Sequence, residues 1–112
     1  MFTQILSELA PIANTLSRSR WKNKTDFYTL FNTLVRYNSH LPLAAEKRSM
    51  LKEKLLSFSQ DVMRFLSLDH ANEEEFPQNI VQYAKGVRVA TDLNARKTRQ
   101  ESLDEYLRDV FE

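Results

Sequence analysis

The sequence contains no cysteine, a single glycine and three prolines in 112 residues. Without cysteine there is no disulfide framework, no thiolate nucleophile and no cysteine-ligated zinc, a composition that a reducing cytoplasm permits. One glycine leaves too few tight turns for an all-β chain, and it excludes both the P-loop and the dinucleotide fingerprint, whose backbone cradles each need several. Histidine is nearly as scarce. His40 and His70 stand 30 positions apart, without the helical spacing that sets two ligands on one face, so neither a metal nor a cofactor is expected. No apolar run approaches the roughly 18 residues of a membrane span. The opening MFTQILSELAPIA lacks the basic n-region of an export signal. These absences describe a soluble, cytoplasmic chain with no membrane partner.

What is present favours helices. Apolar residues make up 42% and charged residues 28% of the chain, an ordinary globular balance, and Leu, Glu, Lys, Arg, Gln and Ala dominate over β-branched types. Phe2, Ile5, Leu6, Leu9, Ile12 and Leu16 predict an amphipathic helix over about residues 2 to 17, kinked or divided at Pro11. Phe27, Leu30, Phe31, Leu34 and Val35 form one stripe on a helix from about Asn23 to Tyr37, with Asn23 or Thr25 as cap and Asp26 in its first turn. Leu51, Leu55, Phe58, Val62 and Phe65 alternate steps of four and three on the longest helix, within residues 43 to 68. An acidic loop, Asp69 to Phe76, follows. Pro77 then opens a helix to about Ala90, in which Gly86 marks close helix packing, and Thr91 or Asp92 caps a last helix with Leu93, Leu103, Tyr106, Leu107, Val110 and Phe111 on its buried side. The fold class is all-α, a compact bundle of about five helices forming one domain over residues 1–112.

Chemistry is harder to find. Glu73, Glu74 and Glu75 are adjacent carboxylates in a polar loop, where they repel one another and solvate, and no serine or threonine has a histidine motif beside it. No enzyme is expected. The remaining signal is basic. Arg18, Arg20, Lys22 and Lys24 put four cations into seven residues, and Lys85, Arg88, Arg96, Lys97 and Arg99 form a second concentration broken only by Asp92. These charges either pair with the acidic helices and water or build a patch for an anionic partner. Trp21, the chain's only tryptophan, either staples the start of the following helix against Phe27 and Tyr28 or offers a stacking surface. On the last helix, Arg96, Lys97 and Arg99 precede Glu101, Asp104, Glu105, Asp109 and Glu112, an order that opposes the helix macrodipole. Local helix stability did not set that order, which leaves either a tertiary or external partner for the arginines or simple tolerance of exposed charges at the surface. The candidate anionic-partner contacts are therefore Arg18, Arg20, Trp21, Lys22, Lys24, Arg96, Lys97 and Arg99.

The stretches RWKNKTDFYTLFNTL, EKRSMLKEKLLSFSQDV and NIVQYAKGVRVATDLNARKTRQESLDEYL together resemble the C-terminal helical part of the GmrSD-type restriction protein, N-terminal-domain family, over roughly residues 18 to 110. The sharpest pieces are Trp21 to Phe31 and the block from Thr91 and Asp92 to Arg99. The resemblance implies a bacterial or phage-defence setting, in which full-length members join a nucleotide-handling domain of ParB/sulfiredoxin type, marked by Asp-Gly-Gln-Gln-Arg, to a helical region. That motif is missing here, so no catalytic assignment carries over. What the resemblance then implies is a detached or truncated non-catalytic helical module whose partner is a protein or the companion nucleotide-handling domain. Arg96, Lys97 and Arg99 match the family's basic block. The alternative is a nucleic-acid-binding module that sets basic segments 18–24 and 85–100 against the phosphates of DNA or RNA.

Overall fold

A computed structural model describes residues 2–41, 43–68, 72–88 and 93–111. Its helices are α1 (Phe2–Leu9), α2 (Ala13–Leu16), α3 (Lys24–Arg36), α4 (Ala45–Ser67), α5 (Gln78–Arg88) and α6 (Leu93–Tyr106), with short 3₁₀ turns between and after them. The architecture is the expected all-α bundle, and no strand occurs among the described residues. The break between α1 and α2 is the 3₁₀ turn Ala10–Ile12, built around Pro11, which cannot donate a backbone hydrogen bond. Ile5, Leu9, Ile12 and Leu16 stay buried on both sides of it, so the divided helix keeps one apolar face.

Long α4 is the spine. Leu51, Leu55, Phe58, Val62 and Phe65 are all buried, as a period of 3.5 on one face requires. The same core cluster takes in Ile80, Val81, Tyr83 and Ala84 of α5, Leu30 and Leu34 of α3, and Leu103, Leu107, Val110 and Phe111 of the C-terminal stretch. The last of these residues sit partly in a closing 3₁₀ turn, Arg108–Phe111, where Phe111 stacks on Tyr37 at a centroid distance of 4.4 Å. The acidic loop forms a 3₁₀ turn, Glu73–Glu75, whose first orphan donors are met by the Asn72 side chain accepting from Glu74 N at 3.1 Å. The rest of that loop (residues 69–71, with His70) and the Thr91 or Asp92 cap lie outside the described residues.

Three expectations need correction. Asn23 occupies the N-cap position of α3, but its side chain accepts no backbone hydrogen bond; the amide instead donates to Asp26 Oδ2 at 3.4 Å. Leu93 is 76% exposed, because the buried face of α6 runs through Ala95, Arg99, Ser102, Leu103 and Asp104. Trp21 is 2% exposed and does not offer the stacking surface that was its alternative reading. It lies in a 3₁₀ turn, Arg20–Lys22, closed by Ser19, and reaches across the core to stack on Phe58, with its indole N–H donated to the Leu55 carbonyl at 2.8 Å. Among the described residues no helix is long and apolar enough to cross a membrane.

Candidate anion-binding cleft between α3 and α6

Helices α3 and α6 are joined at one end by a polar knot. Asp104 of α6 is 6% exposed and accepts from Thr33 Oγ1 at 2.7 Å, from Gln100 Nε2 at 3.0 Å and from Arg36 Nη1. A buried carboxylate surrounded by donors in this way is satisfied and fixes the register of the two helices. Toward the N-terminal end of each helix the walls part into a cleft of about 530 Å³. Lys24, Thr25, Tyr28, Thr29 and Asn32 line one wall, and Arg96, Arg99 and Gln100 the other. Steps of three and four along both helices put these residues on facing sides.

At the floor of the cleft is Arg99, only 1% exposed. Its stem passes over Gly86 of α5, where an added Cβ would stand 2.8 Å from Arg99 Cγ and 3.0 Å from the Ala95 carbonyl oxygen. The expectation that Gly86 marks close packing is thus met between α5 and α6. Arg99 Nη1 donates to the Gly86 carbonyl at 2.7 Å, at the C-terminal end of α5, where orphan carbonyls and the helix dipole favour a cation. About half a unit of negative charge at a helix end offsets only part of a guanidinium. A smaller space of about 140 Å³ adjoins the cleft through Arg99 and is lined also by Arg20, Asn23, Thr25, Asp26 and Val87.

The carboxylate nearest to hand is already engaged. Asp26 is 2% exposed, accepts from Tyr83 Oη at 2.5 Å and lies 3.2 Å from Arg20 Nε. Burial first, then the charge and hydrogen bond of Asp26, push the Tyr83 phenol far above its usual range, against the opposing pull of Arg20 and Arg99. The third buried carboxylate, Glu8, is equally committed: it accepts from the Leu43 backbone N–H at 2.7 Å and from Arg48 at 3.1 Å, which raises the Arg48 pKa. Among the described residues no group of histidines, cysteines and carboxylates has metal-holding proximity.

The sequence-derived contacts separate accordingly. Lys24, Arg96 and Arg99 come together in the cleft. Arg20 borders the adjoining space as the partner of Asp26. Arg18 and Lys97 are exposed but line neither, and Lys22 is exposed at the rim of a separate apolar groove formed by α1, α2 and Phe27. Trp21 is 2% exposed and presents no face on which a base can stack, so it leaves the set of contacts. The Arg88 side chain lies outside the described residues. Tyr28, Thr25, Thr29, Asn32 and Gln100 were missed. Their signal is a polar stripe at positions 25, 28, 29 and 32, adjacent to the apolar one on the same helix. No protein-family model, curated protein or solved structure matches the chain.

Proposed function

We propose that this protein is a non-catalytic helical interaction module that holds an anionic group of its partner in the α3–α6 cleft. The observation that carries this reading is the local excess of positive charge: Lys24, Arg96 and Arg99 line one cleft, and none has a carboxylate within 4.0 Å among the described residues. Support for the non-catalytic part comes from Glu8, Asp26 and Asp104, buried carboxylates whose oxygens are occupied by arginines, hydroxyls, an amide and a backbone N–H. General acid or base work needs a carboxyl with a free lone pair or proton facing substrate.

The setting proposed for the module is that of a detached or truncated C-terminal part of a GmrSD-like restriction or defence protein, with a nucleotide-handling domain as companion. The resemblance of Trp21 to Phe31 and of the block ending at Arg99 supports it. Co-purification of the full chain from its host tests this directly: recovery with a protein carrying the Asp-Gly-Gln-Gln-Arg motif is the expected result, and NTP hydrolysis by the chain alone would sink it. DNA binding is the competing reading. It requires salt-dependent affinity of roughly 100 μM or tighter that falls on neutralising Arg18 and Lys22 as well as Lys24 and Arg96. The interaction-module reading expects sensitivity at Lys24 and Arg96 only.

A further inference from the structure

Arg99 is the buried charge that the fold itself leaves incompletely served. A guanidinium carries five N–H donors, yet among the described residues this one donates a single hydrogen bond, to Gly86, and its buried Nε has no partner. Burying a charge without a counterion is strongly unfavourable, and an unsatisfied buried polar group in a folded protein calls for a functional role, an ion or an ordered water. The position is nevertheless built. The chain's only glycine lies under the stem of Arg99, and the C-terminal end of α5 accepts from its tip.

The surrounding charges narrow the class of ligand. Two arginines that flank this region are already paired, Arg20 of the preceding 3₁₀ turn by Asp26 and Arg36 at the end of α3 by Asp104. Lys22 and Lys97 are exposed but lie outside the cleft, so the cations that face it are the compact group Lys24, Arg96 and Arg99, which suits one compact anion. Three cations around one spot exceed what a single carboxylate balances. A phosphomonoester brings about −1.5 to −2 charge and three strong acceptor oxygens, and planar guanidinium forks match phosphate oxygens two at a time. The remaining volume of the cleft, with the half-exposed Tyr28 ring and the Thr25, Thr29 and Asn32 side chains, is of the size that accepts a small polar body.

Resting on the reading of the cleft given above, we infer that it is a phosphate-binding site for a small phosphomonoester, with the Arg99 fork at its floor and Lys24 and Arg96 at its rim. Calorimetric titration of the full chain at low salt tests this, with inorganic phosphate, glycerol 3-phosphate and a hexaglutamate peptide as probes. Saturable binding of both phosphates is expected. Arg96→Gln and Lys24→Gln, both exposed sites whose variants should fold, each weaken it by about tenfold, the size of one charge-assisted hydrogen bond. Lys97→Gln, exposed on the same helix but outside the cleft, leaves it unchanged. Arg99→Lys keeps the charge and loses the fork, and weakens binding with the helical circular dichroism preserved. If hexaglutamate binds in an Arg96-dependent manner and neither phosphate does, the ligand class is wrong while the cleft reading stands. If no probe binds at millimolar concentration, both fall. Phosphate binding that Lys97→Gln weakens as much as Arg96→Gln reports a diffuse field and overturns the site.

Discussion

Replacing Gly86 by alanine puts the close approach of α5 and α6 to a quantitative test. In an exposed helix the change is favourable by up to about 1 kcal/mol, since glycine is the poorer helix former. Here the new methyl would stand 2.8 Å from Arg99 Cγ and 3.0 Å from a backbone oxygen. The Arg99 stem cannot swing away freely, because the residue is 1% exposed and its Nη1 is bonded to the Gly86 carbonyl. Overpacking of this kind costs about 1–3 kcal/mol, and displacing the guanidinium forfeits a charged hydrogen bond of about 1.5–3 kcal/mol. Set against a gain in propensity of about 1 kcal/mol, Gly86→Ala is expected to destabilise the fold by about 1.5–5 kcal/mol. Urea unfolding followed by Trp21 fluorescence measures it. A double-mutant cycle with Arg99→Ala isolates the cause: without the Arg99 stem only the Ala95 oxygen opposes the methyl, so the penalty shrinks. A variant that is more stable than the parent would refute the geometry and remove the structural support for the position of Arg99.

The remaining expectations concern the core and its polar groups. Trp21 should emit at short wavelength and resist collisional quenching, and Trp21→Phe, which loses the indole bond to Leu55 and leaves a partial cavity beside Phe58, should cost about 2–3 kcal/mol in denaturant unfolding. Asp104→Ala strands Thr33 and Gln100 in the α3–α6 contact and should cost about 2–3 kcal/mol, whereas Arg36→Ala, whose side chain is 64% exposed, should cost under about 1 kcal/mol; equal costs would mean the ion pair and not the buried hydrogen bonds holds the knot. Tyr83 holds its proton more tightly in the folded chain than in the unfolded one. Its contribution is therefore fully present below about pH 10, the unfolded phenol value, and declines above it by up to about 1.4 kcal/mol per pH unit. Tyr83→Phe should flatten that alkaline loss, and an unchanged slope in stability between pH 10 and 11 would contradict the burial of the phenol beside Asp26.

The fold was legible wherever an apolar face repeats without interruption. Leu51 to Phe65 on α4 and Leu30 and Leu34 on α3 were placed correctly by period alone, and Pro11 marked its break because the reason is covalent. The last helix was misread at its start for an equally physical reason. Its buried face contains Arg99, Ser102 and Asp104, polar residues that a search for apolar spacing discards, and with Arg99 omitted the series of Ala95, Arg99, Leu103 and Leu107 at steps of four vanishes. Leu93, off that series, was taken in its place. Trp21 was left between a staple and a stacking surface, because which helices it meets depends on contacts 34 and more residues away, to Leu55 and beyond, which no local pattern encodes.

The candidate site was legible only as an excess of charge, because sequence shows where cations lie but not which carboxylates take them. Arg20 pairs with Asp26 six positions on, and Arg36 with Asp104 sixty-eight positions on. What matters for an external anion is the residue left after such pairing, and that is a property of the folded chain. The same pairing explains the charge order on α6 that opposes its macrodipole. Asp104 is engaged by α3, and Arg99 by the C-terminal end of α5, each in a low-dielectric contact. Interactions of this kind outweigh the few tenths of a kcal/mol by which an exposed charge feels the helix ends. Arg96 and Lys97 have no such tertiary reason, and Arg96 differs from its neighbour in facing the cleft. A comparison of the two at adjacent positions on one helix therefore separates a site from a field, since local sequence, helix and net charge are the same for both.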